Sequence, residues 1–274
     1  MTTLSFIYFY TLWGLLGLAI GSFLNVVIYR LPKMLQEDWA HNCGSSSPTL
    51  SLLFPRSFCP RCKTAIKASQ NIPLLSYFLL QKRCYGCHQP ISGRYPLVEL
   101  ITGLFTLFTI AFFGFSIHTL FTLLFIWCAI ALLFIDLETQ LLPDSLTLGL
   151  LWLGLLANTD SASAFTALPN AVFGAAGGYL SLWLFTQLFY LLRGKIGMGQ
   201  GDFKLFAALG AWFGWQTLPF ILFTASLTGA ITGMLYLKWQ KKDKDTPIAF
   251  GPFLVISGIY CLFFPNPAIL PLIF

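Results

Sequence analysis

Long apolar runs alternate with short polar stretches along almost the whole chain. Measured against the roughly 20 residues a helix needs to cross a bilayer, strong spans fall near residues 6–29, 97–116, 119–135, 171–192, 218–237 and 249–272. Two shorter runs, near 142–158 and 203–215, bring the predicted number to eight. The only long polar segment lies between the first two spans. The pattern predicts an all-α polytopic membrane protein. Residues 1–30 form a first transmembrane helix, 31–94 a small cytoplasmic domain and 95–274 a transmembrane core. The first apolar run has no basic region ahead of it and is too long for the core of a secretory signal. Asn25, Tyr29 and Arg30 follow without a cleavage-like site, so it reads as a retained helix.

Composition agrees: 57% of residues are hydrophobic and 9% charged, against roughly 25% charged in soluble domains. Basic residues orient the spans. Nine of the 16 lie between Arg30 and Arg94, three are Arg193, Lys195 and Lys204, and four are Lys238, Lys241, Lys242 and Lys244. With eight crossings these regions share one side, which the positive-inside rule makes cytoplasmic, leaving both termini outside. The net charge of +6 suits the anionic headgroups of membrane lipids and requires no nucleic acid.

The polar segment carries two CxxC pairs, Cys59/Cys62 and Cys84/Cys87, separated by 21 residues. Two such knuckles complete a tetrahedral all-thiolate site, the pattern of structural zinc. Two disulfides are the alternative, opposed by the reducing character of the cytoplasmic side. His88 beside Cys87 is either a fifth donor or only a neighbour. Cys43, Cys128 and Cys261 are unpaired in sequence, the last two as core residues of spans. The stretch from His41 to Ser57, rich in Ser, Asn, Gly and Pro, reads as a flexible loop.

With ten acidic residues in the chain, each can be judged. Glu37, Asp38, Asp160, Asp243 and Asp245 fall in polar loops and are expected to be solvated. Glu99, at the start of the second span, has Arg94 or Arg30 as a possible counter-ion. Glu138 faces the headgroups. Asp144, after Pro143 and before a new apolar run, reads as a helix N-cap. Asp136 and Asp202 remain. An aspartate at the edge of the hydrocarbon costs about a few kcal/mol unless paired or wetted, so its default reading is functional. Both belong to the cytoplasmic ends of their spans, and two carboxylates at one depth are the ingredients of an aspartic dyad. In "GMGQGDFKL" the glycines at 197, 199 and 201 are expected to supply positive φ and close approach, placing Asp202 at a tight turn. The start of one helix beside Asp202 and the end of another beside Asp136 suggest Asp202 as base and Asp136 as acid. Lys204 either supports an ionised carboxylate or snorkels to the headgroups. The same stretch lacks the Gly-Lys-Ser/Thr of a phosphate-binding loop and the third glycine of a dinucleotide fingerprint.

The chain resembles the type IV prepilin peptidases, bacterial members of the GxGD aspartic proteases. The resemblance runs through "GSFLNVVIYRLPKM" (21–34), both CxxC pairs, "GRYPLVEL" (93–100), "IDLETQLLPD" (135–144), "GMGQGDFKL" (197–205) and "TPIAFGPFL" (246–254). It implies a two-activity enzyme of the bacterial inner membrane. Such an enzyme cuts the basic leader from prepilins and pseudopilins after a glycine on the cytoplasmic side. It then methylates the new N-terminal residue, using S-adenosylmethionine as methyl donor. The family's catalytic aspartates match Asp136 and Asp202, and its cysteines, linked to methylation, match Cys59, Cys62, Cys84 and Cys87. The family often has a glycine shortly before the third cysteine, where this chain reads "QKRC", with Lys82 near that place. Residues 31–94 are too few for a Rossmann-type methyltransferase, so the donor site is not legible here. Outside the enzyme class, an ion-coupled transporter also uses intramembrane acids, but it places them near the midplane and in repeated halves, which this chain lacks. A membrane scaffold built around a zinc knuckle leaves the two aspartates without a purpose.

Overall fold

The computed structural model describes residues 3–42, 50–194, 197–240 and 249–264. The chain is mostly helical: α1 (Thr3–Asn42), the short α2 (Leu75–Leu79), α3 (Arg94–Phe113), α4 (Ile117–Thr139), α5 (Asp144–Ala157), α6 (Leu168–Arg193), α7 (Gln200–Phe213), α8 (Leu218–Gln240) and α9 (Gly251–Phe263). Each of the eight predicted runs contains a helix among the described residues. Among the described residues five helices, α1, α3, α4, α6 and α8, are long and apolar enough to cross a membrane. The other three, α5, α7 and α9, have 14, 14 and 13 residues. At 1.5 Å per residue these reach only about 20 Å of a roughly 30 Å hydrocarbon core. Many large side chains on the long helices face outward, among them Leu191 and Leu192 of α6, 80% and 74% exposed, as lipid-facing positions require.

The first helix overruns its predicted end. It continues through Pro32 to Asn42 because no further proline or glycine interrupts it before Gly44. Glu37, Asp38 and His41 are therefore helical rather than in a loop. Cys43, Lys195, the run 241–248 with Asp243 and Asp245, and residues 265–272 of the last predicted span lie outside the described residues.

The chain divides into two compact units, Met1–Ala131 and Leu132–Phe274. In the first, α1 and α3 meet at small residues. A Cβ on Gly17 would stand 2.8 Å from Thr106 and one on Gly21 2.7 Å from the Glu99 backbone, the glycine-mediated approach typical of membrane helices. Thr102, Thr106 and Thr109 return their hydroxyl protons to carbonyls one turn back, so these buried hydroxyls are satisfied within α3.

The second unit is built around α7, whose residues from Phe203 to Phe213, Lys204 excepted, are all buried. Its backbone touches that of α6: a Cβ on Gly210 would meet the Gly174 carbonyl oxygen at 2.2 Å, and one on Gly178 the Phe206 carbonyl oxygen at 3.0 Å. Trp212 packs against Gly154 of α5 and donates its indole N–H to the Leu150 carbonyl at 2.8 Å. Buried Asn158 closes the end of the helix. Its amide group donates to the Ala211 and Trp212 carbonyls, and its Oδ1 accepts from the amides of Phe165 and Thr166. These contacts fix the depth and rotation of α7 and so the position of its first turn.

Candidate active site and four-cysteine centre

Asp202 lies in the first turn of α7 and Asp136 in the last turn of α4, and the two carboxyl groups are near enough for their charges to interact. Both belong to the second unit. Leu142 sits between their supports: it lies 2.7 Å from a Cβ placed on Gly201 and 3.2 Å from one placed on Gly251. Asp136 is 4% exposed, and its Oδ2 is buried with no hydrogen-bond partner among the described residues. A buried, unsatisfied carboxyl oxygen is costly and is retained where it has work to do.

The glycines act differently from the expectation. Among the described glycines, positive φ occurs at Gly114, Gly194 and Gly214, not in the GxGD stretch. Gly199 precedes α7 with extended backbone, φ −76° and ψ 151°, and Gly201 is helical. Gly197 and Gly201 are short of space, whereas a Cβ on Gly199 would make only ordinary contact. Gly201 admits Leu142, Gly197 lies against Phe189, and a Cβ on Gly199 would approach Asp202 Oδ2 at 3.6 Å.

Gly251, the first residue of α9, escaped sequence reasoning. A Cβ there would lie 2.5 Å from Asp136 Oδ2, and its amide faces the Asp136 carboxyl as the Gly199 amide faces Asp202. Each aspartate thus meets an amide at the start of a helix. This geometry by itself ranks neither Asp202 as base nor Asp136 as acid. The signal available was the glycine before proline in "AFGPF", a helix start beside a small residue.

Asp144 is not an N-cap. Pro143 holds that position without a side-chain cap, and Asp144 instead accepts from Lys204 Nζ through both oxygens, at 2.6 and 2.7 Å. Lys204 is therefore committed to Asp144, not to the dyad, and the pair ties the starts of α5 and α7. Glu99 accepts from the Leu74 amide at 2.8 Å. Arg30 binds the Ser51 and Pro55 carbonyls at 2.7 Å instead of pairing with Glu99.

The four cysteines converge. Their sulfurs all lie within 4.8 Å of one another, with Cys59–Cys87 at 4.0 Å and Cys62–Cys84 at 3.9 Å, and none is in a disulfide. Four sulfurs at about 2.3 Å from a central ion stand about 3.8 Å apart, so the cluster suits a tetrahedral metal. The knuckles are built alike. Cys59 and Cys84 each accept an amide from four residues on, Lys63 and His88, both at positive φ, 60° and 54°. His88 is thus a turn residue, and among the described residues the cluster contains the four thiols alone. The Thr64 hydroxyl and amide pull the Cys62 thiol down to about 6, and the amides of Cys87 and Gly86 lower Cys84. The Gln89 amide also lowers Cys87, but burial and the neighbouring sulfurs hold it up at about 11, since four adjacent thiolates need a cation. Just before the second knuckle, Gln81 and Lys82 have φ of 50° and 62°. That conformation favours glycine, so Lys82 occupies a glycine-type turn at a cost.

Residues 15–113 match the Bacterial Peptidase A24 N-terminal domain and residues 123–234 the Type IV leader peptidase family. Among relatives, the prepilin leader peptidase/N-methyltransferase of Legionella pneumophila is 54% identical over 270 residues, covering 96% of this chain and 93% of that protein. Those of Aeromonas hydrophila and Neisseria gonorrhoeae are 49% and 45% identical over 259 and 265 residues. They cover 91% and 93% of this chain, and 89% and 90% of their own lengths. No solved structure matches the chain.

Proposed function

Because this chain belongs to the type IV leader peptidase family, we propose that it removes the leader from prepilins and pseudopilins through the Asp136–Asp202 pair. It then N-methylates the exposed residue with S-adenosylmethionine. The observation that carries the proteolytic half is the convergence of these two carboxyls, one with a buried oxygen that no group among the described residues satisfies. The ionised member takes a proton from water as the water oxygen adds to the scissile carbonyl carbon. The neutral member hydrogen-bonds and protonates the carbonyl oxygen, and collapse expels the amine, which carries away a proton. The short helices α5, α7 and α9 leave room for water beside the dyad. The basic leader lies on the cytoplasmic face of the inner membrane. The end of α6 with Arg193, the start of α7 with Lys204 and the end of α8 with Lys238 carry the cations of that side.

Cys59, Cys62, Cys84 and Cys87 hold a structural zinc ion that fixes the two knuckles. S-adenosylmethionine, when bound, supplies an electrophilic methyl carbon. Cleavage of a prepilin in liposomes by wild type, Asp136→Asn and Asp202→Asn, with methylation of pre-cleaved pilin followed in parallel, tests the division of labour. Both variants are expected to lose cleavage by at least about 10³-fold and to keep methylation. Cleavage at the wild-type rate by either variant refutes the dyad.

A further inference from the structure

The first unit contains a cavity of about 510 Å³ bounded by α1, the start of α3 and both cysteine knuckles. That volume falls in the usual range for small-molecule sites, roughly 300–1,000 Å³. Ser22, Asn25 and Tyr29 line it from one stripe of α1, at the spacing of a single helical face. Tyr95 and Glu99 line it from one face of α3. Its polar groups are incompletely matched. Asn25 is 4% exposed, donates one hydrogen bond from Nδ2 to the Tyr95 carbonyl, and leaves Oδ1 buried without a partner among the described residues. Arg30, also 4% exposed, is held by carbonyls, and no carboxylate among the described residues pairs with it. Glu99, 9% exposed, is held by the Leu74 amide and by Ser22, with no cation paired to it among the described residues. One cavity thus carries a buried cation, a buried anion and an unsatisfied acceptor between tyrosine and phenylalanine rings. Buried charges are kept in this condition only where something completes them.

We propose that this cavity is the site of the methyl donor, an amino acid joined through a sulfonium to a nucleoside; this rests on the methyltransferase half of the function above. The ligand's charges complement the walls. Its carboxylate suits Arg30, whose planar fork binds carboxylates in bidentate fashion. Its ammonium suits Glu99 and the Asn25 oxygen. Its sulfonium and flat base suit the aromatic rings, since cations and π-systems both gain over ring faces. Cys59 and Cys84 themselves line the cavity, so the four-cysteine centre acts as the frame of its wall and need not touch the reacting atoms. This gives the small cysteine domain a role in methyl transfer without a Rossmann fold.

The test is equilibrium dialysis of methyl-labelled S-adenosylmethionine against the full-length protein in detergent. Arg30→Gln and Glu99→Gln are each expected to weaken binding at least tenfold, while Asp160→Asn, in an exposed loop, binds as the wild type. Ultraviolet cross-linking of the same donor to the wild-type protein needs no variant to fold, and its label is expected in peptides from residues 22–30 and 57–99. Wild-type binding together with unchanged affinity in both variants, or label confined to residues 132–274, overturns the assignment while leaving the methyltransferase intact. A wild-type protein that neither binds the donor nor methylates pilin removes the methyltransferase reading and this site with it.

Discussion

Replacing Gly251 by alanine tests whether the start of α9 shapes the catalytic pair. The added Cβ would stand 2.5 Å from Asp136 Oδ2, about 0.9 Å short of ordinary contact at 3.4 Å, and Leu142 at 3.2 Å blocks retreat on another side. The carboxyl must therefore move by close to 1 Å, and a misplacement of that size at a catalytic group costs about 10²-fold in rate. Overpacking of this kind costs about 1–3 kcal/mol in stability. Prepilin cleavage by Gly251→Ala in liposomes is expected to fall about 100-fold, while methylation of a pre-cleaved pilin stays near wild type. Gly177→Ala is the matched control: a Cβ there meets nothing within 4 Å. If Gly251→Ala cuts within twofold of wild type, the spatial reading of this glycine is wrong.

Three other substitutions probe the supports. Asn158→Ala leaves the amides of Phe165 and Thr166 without their buried acceptor; at about 1–3 kcal/mol for each, the loss is on the order of 3 kcal/mol, read as a clear drop in unfolding temperature in detergent. Asp144→Asn breaks an ion pair whose members are 61% and 22% exposed, worth less than about 1 kcal/mol, so both cleavage and methylation should stay within about threefold of wild type. Lys82→Gly relieves a left-handed residue at φ 62° and is expected to stabilise the cysteine domain by about 1 kcal/mol; a decrease in its resistance to proteolysis would count against the strain.

What was legible in the sequence was whatever depends on local pattern. Apolar runs announced five long helices and three short ones, CxxC spacing announced the four-thiol cluster, and the scarcity of charge isolated Asp136 and Asp202. What was illegible depends on partners distant in sequence. Asp144 satisfies every local criterion for an N-cap, but a lysine 60 residues later takes both of its oxygens. Glu99 and Arg30 have opposite charges in neighbouring helices, yet each is claimed first by backbone groups of the intervening segment. Asn158, one polar residue at the end of an apolar run, reads as an ordinary loop start, and only the fold reveals that it closes α7.

The glycines mark the same boundary more sharply. A glycine beside an aspartate raises two physical possibilities, positive φ or close approach, and sequence alone does not separate them. At Gly201 and Gly251 the backbone is ordinary and the space is not, because Leu142 is pressed against one and the Asp136 carboxyl against the other. The missing Cβ atoms bring three separate segments, 136–142, 199–202 and the start of α9, to one point. Two carboxyls are thereby held together where charge repulsion would otherwise drive them apart. A motif reading that stops at the aspartates therefore misses what enforces their proximity: space left by glycines on two different helices.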